Sequence, residues 1–196
     1  VRANFQDIVA RLLHHPGVDA EQVNQFCTAG PSQVLWSPMQ LAAREGFMSV
    51  CEVLWKEGKA DVNRQLRDEA GLTWTTLSIA ASRNHLDVCK LLLRGRARVY
   101  PTNEDGRQAV WFAARDGYSA VTLALLEGGG NAAQADVDGL TPALAAALYG
   151  HADTIMKVLK WQVTERRELA EAEERQKLEK DDAGIEIDVY DEDGED

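Results

Sequence analysis

What the chain lacks sets the first limits. Three cysteines in 196 residues, Cys27, Cys51 and Cys89, are an odd count with no C-x-x-C pair and no Cys/His cluster at ligand spacing. That argues for free buried thiols and a reducing compartment, and against a disulfide framework or a zinc site. No apolar run approaches the roughly 20 residues that a membrane-spanning helix needs. Basic residues are outnumbered, 21 Lys and Arg against 32 Asp and Glu for a net charge of −11, so no nucleic-acid partner is expected, because one would require a denser basic face. Histidine supplies no catalytic constellation: His14 and His15 are neighbours on a helix end and point apart, while His85 and His151 follow Asn84 and Gly150. Gly128-Gly129-Gly130 lacks the lysine and Ser/Thr of a phosphate loop, and Asp188, Asp191 and Asp193 miss the spacing of a calcium loop. Neither enzyme chemistry, nor a cofactor, nor a metal is expected.

What the chain does have is a beat. Ala80-Ala81, Ala113-Ala114 and Ala146-Ala147 recur every 33 residues, with Ala42-Ala43 as an earlier member. The neighbours keep phase. Ser37, Thr75 and Thr141 can cap a helix through their side-chain oxygens, and Pro38 and Pro142 fall at the first helical position, where no amide is needed. Gly46, Gly117, Gly150 and, in the second copy, Asn84 stand where that helix must reverse with positive φ, so it is expected to stop after about two turns. A second helix follows with a single apolar stripe, as in Val88, Leu91 and Leu92, or Val121, Ala124 and Leu125, and Gly58, Gly95 and Gly128 end it. Asp136-Val137-Asp138-Gly139 reads as a tight turn between units.

With Ser37-Pro38-Met39-Gln40-Leu41-Ala42-Ala43 and Thr141-Pro142-Ala143-Leu144-Ala145-Ala146-Ala147 in the slot of a T-P-L-H-x-A core, the chain resembles the ankyrin repeat. The resemblance implies an all-α repeat fold: a solenoid of stacked helix-turn-helix units with short β-hairpin fingers, an extended C-terminal helix and an acidic tail. It divides the chain into a partial N-terminal repeat and connecting loop (1–36), four repeats (37–67, 68–102, 103–135 and 136–161), a protruding charged helix (162–180) and the tail (181–196). Alanine pairs 42 and 80 are 38 residues apart rather than 33, so the finger within 63–75 is expected to be five residues longer. Val9, Leu12 and Leu13 sit in outer-helix phase with no inner helix before them, and Val1 is not a methionine, so the chain is expected to begin inside a repeat.

The charge is uneven. Residues 164–196 hold 15 acidic and 5 basic side chains, a net of −10, leaving −1 for the rest. The pairs Glu171–Arg175 and Glu173–Lys177 are spaced to support a helix to about Lys180. Beyond it, Ile185, Ile187 and Val189 alternate with Glu186, Asp188 and Tyr190, a strand's period that would suit addition to a partner's sheet edge.

By the same resemblance, fingers and inner helices line a recognition face. The partner-binding candidates are therefore Trp36, Arg44, Arg67, Trp74, Arg83, Arg107, Trp111, Arg115 and Tyr149, with Ile185, Ile187, Val189 and Tyr190 in the tail. Tryptophan and arginine are enriched among binding hot spots. Trp111 takes the histidine position of the motif and is expected to be exposed on the groove. The function implied is a non-catalytic protein-interaction module, an adaptor or a subunit of a larger assembly, present as a monomer within a hetero-complex. The alternative is an acidic-tailed escort for a basic client such as a ribosomal protein or a histone. The expected location is intracellular, cytoplasmic or nuclear, or an organelle if a leading segment is processed.

Overall fold

The computed structural model describes residues 27–28, 35–100 and 102–183, with side chains placed for 36–100 and 102–176. The calls on Ile185, Ile187, Val189 and Tyr190, and on the N-terminal partial repeat, lie outside the described residues. Within them the order is β1 (Cys27–Thr28), β2 (Leu35–Trp36), α1 (Pro38–Glu45), α2 (Met48–Lys56), β3 (Gln65–Arg67), β4 (Thr73–Thr75), α3 (Thr76–Ser82), α4 (Leu86–Arg94), α5 (Ala109–Arg115), α6 (Ser119–Glu127), α7 (Pro142–Leu148) and α8 (Ala152–Ala183). The chain divides into two units, Val1–Trp161 and Gln162–Asp196.

In the first unit the short helices α1, α3, α5 and α7 form an inner layer and α2, α4 and α6 an outer one, each packing on its neighbour along the stack. The start signals act as the residues dictate. Ser37 accepts from the Gln40 amide while the Gln40 side chain accepts from the Ser37 amide, a reciprocal cap that Thr75 and Ser78 repeat at the head of α3. Gln108 fills that slot before α5 without capping it; its side chain instead reaches Tyr100 O at 3.2 Å and the Asn131 amide at 3.4 Å. The stop signals use the left-handed region: φ is 73° at Gly46, 61° at Asn84, 75° at Gly117 and 78° at Gly150.

Close approach is the second reason for glycine at two of these stops. A Cβ on Gly46 would lie 2.5 Å from the His85 ring, and one on Gly117 would lie 2.5 Å from the ring of His151. The histidine of each following unit is laid over the glycine of the unit before, and His85 Nε2 is 3.0 Å from Arg44 O.

The alanine pairs explain the layer spacing. Ala43, Ala80, Ala81, Ala113, Ala114 and Ala146 are fully buried, so the inner helices approach with no larger side chain between them. The outer helices bury one stripe each: Val50, Cys51 and Leu54, then Val88, Cys89 and Leu92, then Val121 and Leu125. Each large member contributes about 1.5–3 kcal/mol relative to exposure. The Cys51 and Cys89 thiols are free, and burial pushes both up to about 12.

The lengthened finger is a true antiparallel hairpin, β3 on β4, with Gln65 opposite Thr75, Leu66 opposite Trp74 and Arg67 opposite Thr73. A two-residue pairing of β1 with β2 sets Trp36 opposite Cys27.

In α8, Thr154 and Val158 are buried in the first turns, and from residue 163 to 176 every side chain is exposed. The expected Glu171–Arg175 side-chain pair does not form. Glu171 faces Arg167 at 3.4 Å, and Arg175 Nε donates to the Glu171 carbonyl, because both neighbours one turn away lie within reach of the same carboxylate.

Candidate functional site

Three fingers share a turn that the sequence shows only once with clarity. At Asp68, Asn103 and Asp136 the backbone amide donates to the carbonyl four residues on (Leu72, Arg107, Leu140), and the side-chain Oδ1 accepts the amide of that same residue. Gly71, Gly106 and Gly139 supply positive φ of 82°, 77° and 80°. The available signal was Asx-x-x-Gly at 68, 103 and 136, with 103 and 136 one period of 33 residues apart and 68 set 35 residues before 103.

These turns place the candidate residues in two groups. The first group lines a cleft of about 190 Å³ bounded by Trp36, Arg44, Leu66, Asp68, Trp74, Ile79, Ser82 and Arg83. Four of the residues expected at a recognition face, Trp36, Arg44, Trp74 and Arg83, are brought together there. Leu66 and Ile79 are buried and form its apolar lining. Trp74 is held on two sides: its Nε1 donates to Asp68 Oδ2 at 2.8 Å, and its ring centroid is 4.6 Å from that of Phe112. The Arg44 guanidinium lies over the Trp36 ring, 5.1 Å from the centroid, and its nearest carboxylate, Glu45, is 3.7 Å away. Arg83 is exposed and has no ion-pair partner among the described residues. The longer finger makes this cleft, because its extra rungs set Trp74 beyond the turn rather than within it.

The second group is an internal brace. Trp111 is not exposed on the groove as expected; it is buried at 4 % relative exposure. Its Nε1 donates to Leu140 O at 3.1 Å, its ring meets Phe112 edge to face at 5.5 Å, and Arg107 covers it with the guanidinium 4.3 Å from the centroid. The next repeat buries the slot, and the indole N–H reaches the following finger as a second donor to the Leu140 carbonyl, which also accepts the Asp136 amide. Arg107 is itself committed: Nε to Asp136 at 3.0 Å, Nη1 to Asp105 at 2.9 Å and Nη2 to Asp138 at 3.5 Å. Burial alone would raise the Asp136 carboxyl, but the Leu140 amide, the Arg107 guanidinium and the Asp138 amide outweigh it and hold it below the usual carboxylate range. Arg115 forks onto Asp116 at 2.6 and 2.8 Å and lies 5.6 Å from the Trp111 ring.

Arg67 is exposed and pairs across fingers with Glu104 at 2.9 Å. Glu104 also accepts from the Thr73 hydroxyl at 2.7 Å and the Thr73 amide at 2.6 Å. The Thr73 bonds, and less strongly Arg67, draw its carboxyl down to about 2. Tyr149, at the end of α7, is 58 % exposed and lies near enough to Arg115 to contribute, after Asp116, to raising its guanidinium.

Among the described residues no group of three or more His, Cys, Asp or Glu is placed to hold a metal, and no helix is long and apolar enough to cross a membrane.

A family model described as ankyrin repeats (3 copies) matches residues 1–100 and again 77–165. The ankyrin repeat and KH domain-containing protein mask-1 of Caenorhabditis elegans is 32 % identical over 123 residues, which is 61 % of this chain and 4 % of that relative. The chain thus spans a small fraction of the length of the curated relative it matches.

Proposed function

The chain belongs to the ankyrin repeat family, a non-catalytic module of protein–protein interaction, and on that premise we propose that it grips a protein partner in the cleft between Trp36 and Trp74. The observation that carries the reading is convergence. Two tryptophans and two arginines from β2, β4, α1 and the end of α3 meet over an apolar lining, while the other arginines of that face, Arg67, Arg107 and Arg115, are taken up by carboxylates at 2.6–3.0 Å. Residues of this kind, rigid and amphipathic, form the centres of protein interfaces. A volume near 190 Å³ is below the roughly 300–1,000 Å³ of pockets that enclose a drug-sized ligand, and it suits the side chains of a peptide. In a larger assembly the chain would act as an adaptor or subunit.

A photo-crosslinking amino acid at position 82, on the cleft, tests this against the same group at position 120, exposed on the outer helix α6. Partner adducts should form from 82, fall on Trp74→Ala and be absent from 120; equal adducts from both positions would sink the proposal.

A second reading, an escort for a basic client, rests on the −10 charge of residues 164–196. It requires binding that collapses with added salt and survives Trp74→Ala, because exposed charges are screened beyond about 8–10 Å.

A further inference from the structure

Resting on that reading, we infer that the cleft is selective for an acidic, aliphatic-bearing extended segment of another protein, with carboxylates on Arg44 and Arg83 and an apolar side chain against Leu66 and Ile79. The charge census of the cleft carries this. Its lining holds two cations and one carboxylate. That carboxylate, Asp68, is spent on neutral donors: Oδ1 on the Leu72 amide at 2.9 Å and Oδ2 on the Trp74 indole at 2.8 Å. It anchors the finger and the indole rather than balancing an arginine. Arg44 reaches only Glu45, at 3.7 Å, a partner that does not line the cleft, and Arg83 has no partner among the described residues.

The guanidinium chemistry adds selectivity. The Arg44 guanidinium sits 5.1 Å from the Trp36 centroid, and the planar N–H fork of an arginine matches a carboxylate with two parallel hydrogen bonds. A lysine-bearing segment would meet two like charges and find the one carboxylate already bonded. The buried Leu66 and Ile79 line the same cleft as Trp36 and Trp74, an apolar surface that can take an aliphatic side chain. A sequence of acid, aliphatic and acid carries both chemistries within three residues.

The test uses the full chain and three fluorescein-labelled probes, Gly-Asp-Ile-Asp-Ile-Asp-Gly, its lysine counterpart and its serine counterpart, read by fluorescence anisotropy. The acidic probe should bind about tenfold or more tighter than the serine probe, as expected for charge-assisted hydrogen bonds. Arg44→Glu with Arg83→Glu should reverse the order, so that the lysine probe now binds best, while the circular-dichroism melt is unchanged. A rescue of this kind cannot come from misfolding. Equal binding of the acidic and lysine probes, or an acidic probe indifferent to the double substitution, overturns the proposal while leaving the cleft a protein site. If no probe binds and no crosslink forms from position 82, the underlying reading fails as well. The tail contains Glu186-Ile187-Asp188 of the same pattern. If the acidic probe binds only after Glu186→Gln and Asp188→Asn, the occupant is the chain's own tail, and the partner in trans is overturned.

Discussion

Trp111 and Leu144 occupy the same slot of successive repeats, 33 residues apart, yet one is 4 % exposed and the other 52 %. Truncating each to alanine asks whether the slot or its cover sets the energy. Trp111→Ala removes a packed indole; large-to-small changes of this kind cost about 3–5 kcal/mol. It also takes the indole donor from the Leu140 carbonyl, which keeps only the Asp136 amide, and takes the ring from under Arg107, whose centroid distance is 4.3 Å. Those losses share one network and overlap with the packing loss rather than adding to it in full. Leu144→Ala removes a side chain already half in water, for which about 1 kcal/mol or less is expected. Urea unfolding of both variants, followed by circular dichroism, gives the comparison. Trp111→Ala should move the midpoint down several times further than Leu144→Ala, with the loss centred on the contact of α5 with α7. Equal shifts, or a Trp111→Ala protein as stable as the parent, would falsify the assignment of Trp111 as a brace.

Three further outcomes follow from named contacts. Gly46→Ala should cost about 1–3 kcal/mol, since φ is 73° and the new methyl would lie 2.5 Å from the His85 ring, whereas Gly71→Ala, at φ 82° with open space around it, should show the backbone strain of about 1–2 kcal/mol alone; thermal melts showing the two alike would remove the glycine–histidine contact from the account. Cys51 and Cys89, with thiols pushed up to about 12, should resist iodoacetamide at pH 8 in the native protein and react in urea, because the thiolate is the nucleophile; peptide mapping that finds either one labelled as fast as in urea contradicts their burial. The Glu104 carboxyl should titrate near 2 rather than 4.5 by NMR. Because its folded value is depressed, its link between fingers is at full strength above about 4.5 and is lost as pH falls toward 2; Thr73→Val, which removes the hydroxyl donor, should bring the midpoint back up, and a midpoint indifferent to that change would contradict the assignment.

The local code was readable because each signal acts within one turn of its own residue. Ser37 and Thr75 cap where their oxygens stand, Gly46, Asn84, Gly117 and Gly150 stop helices because the left-handed region tolerates them, and the five extra residues between the first two repeats produced a paired hairpin. Of the three Asx-x-x-Gly turns, those at 103 and 136 keep the 33-residue step and the one at 68 is two residues out of phase, because the longer finger adds residues between its turn and the following helix.

The arginines stood out in the sequence as candidates, but what each one pairs with was not legible. Arg44 and Arg83 face a cleft, whereas Arg107 is tied to Asp105 and Asp136, residues on two different fingers. Sequence by itself determined the repeat, its helices and its stops, since these depend on backbone conformation and nearest neighbours. Only the tertiary structure decided which copy of a shared slot is covered. Trp111 lies beneath the following repeat, while Leu144 lies on α7, after which no inner helix follows among the described residues. Burial depends on what stacks above a residue, and that contact is made by chain 33 residues away.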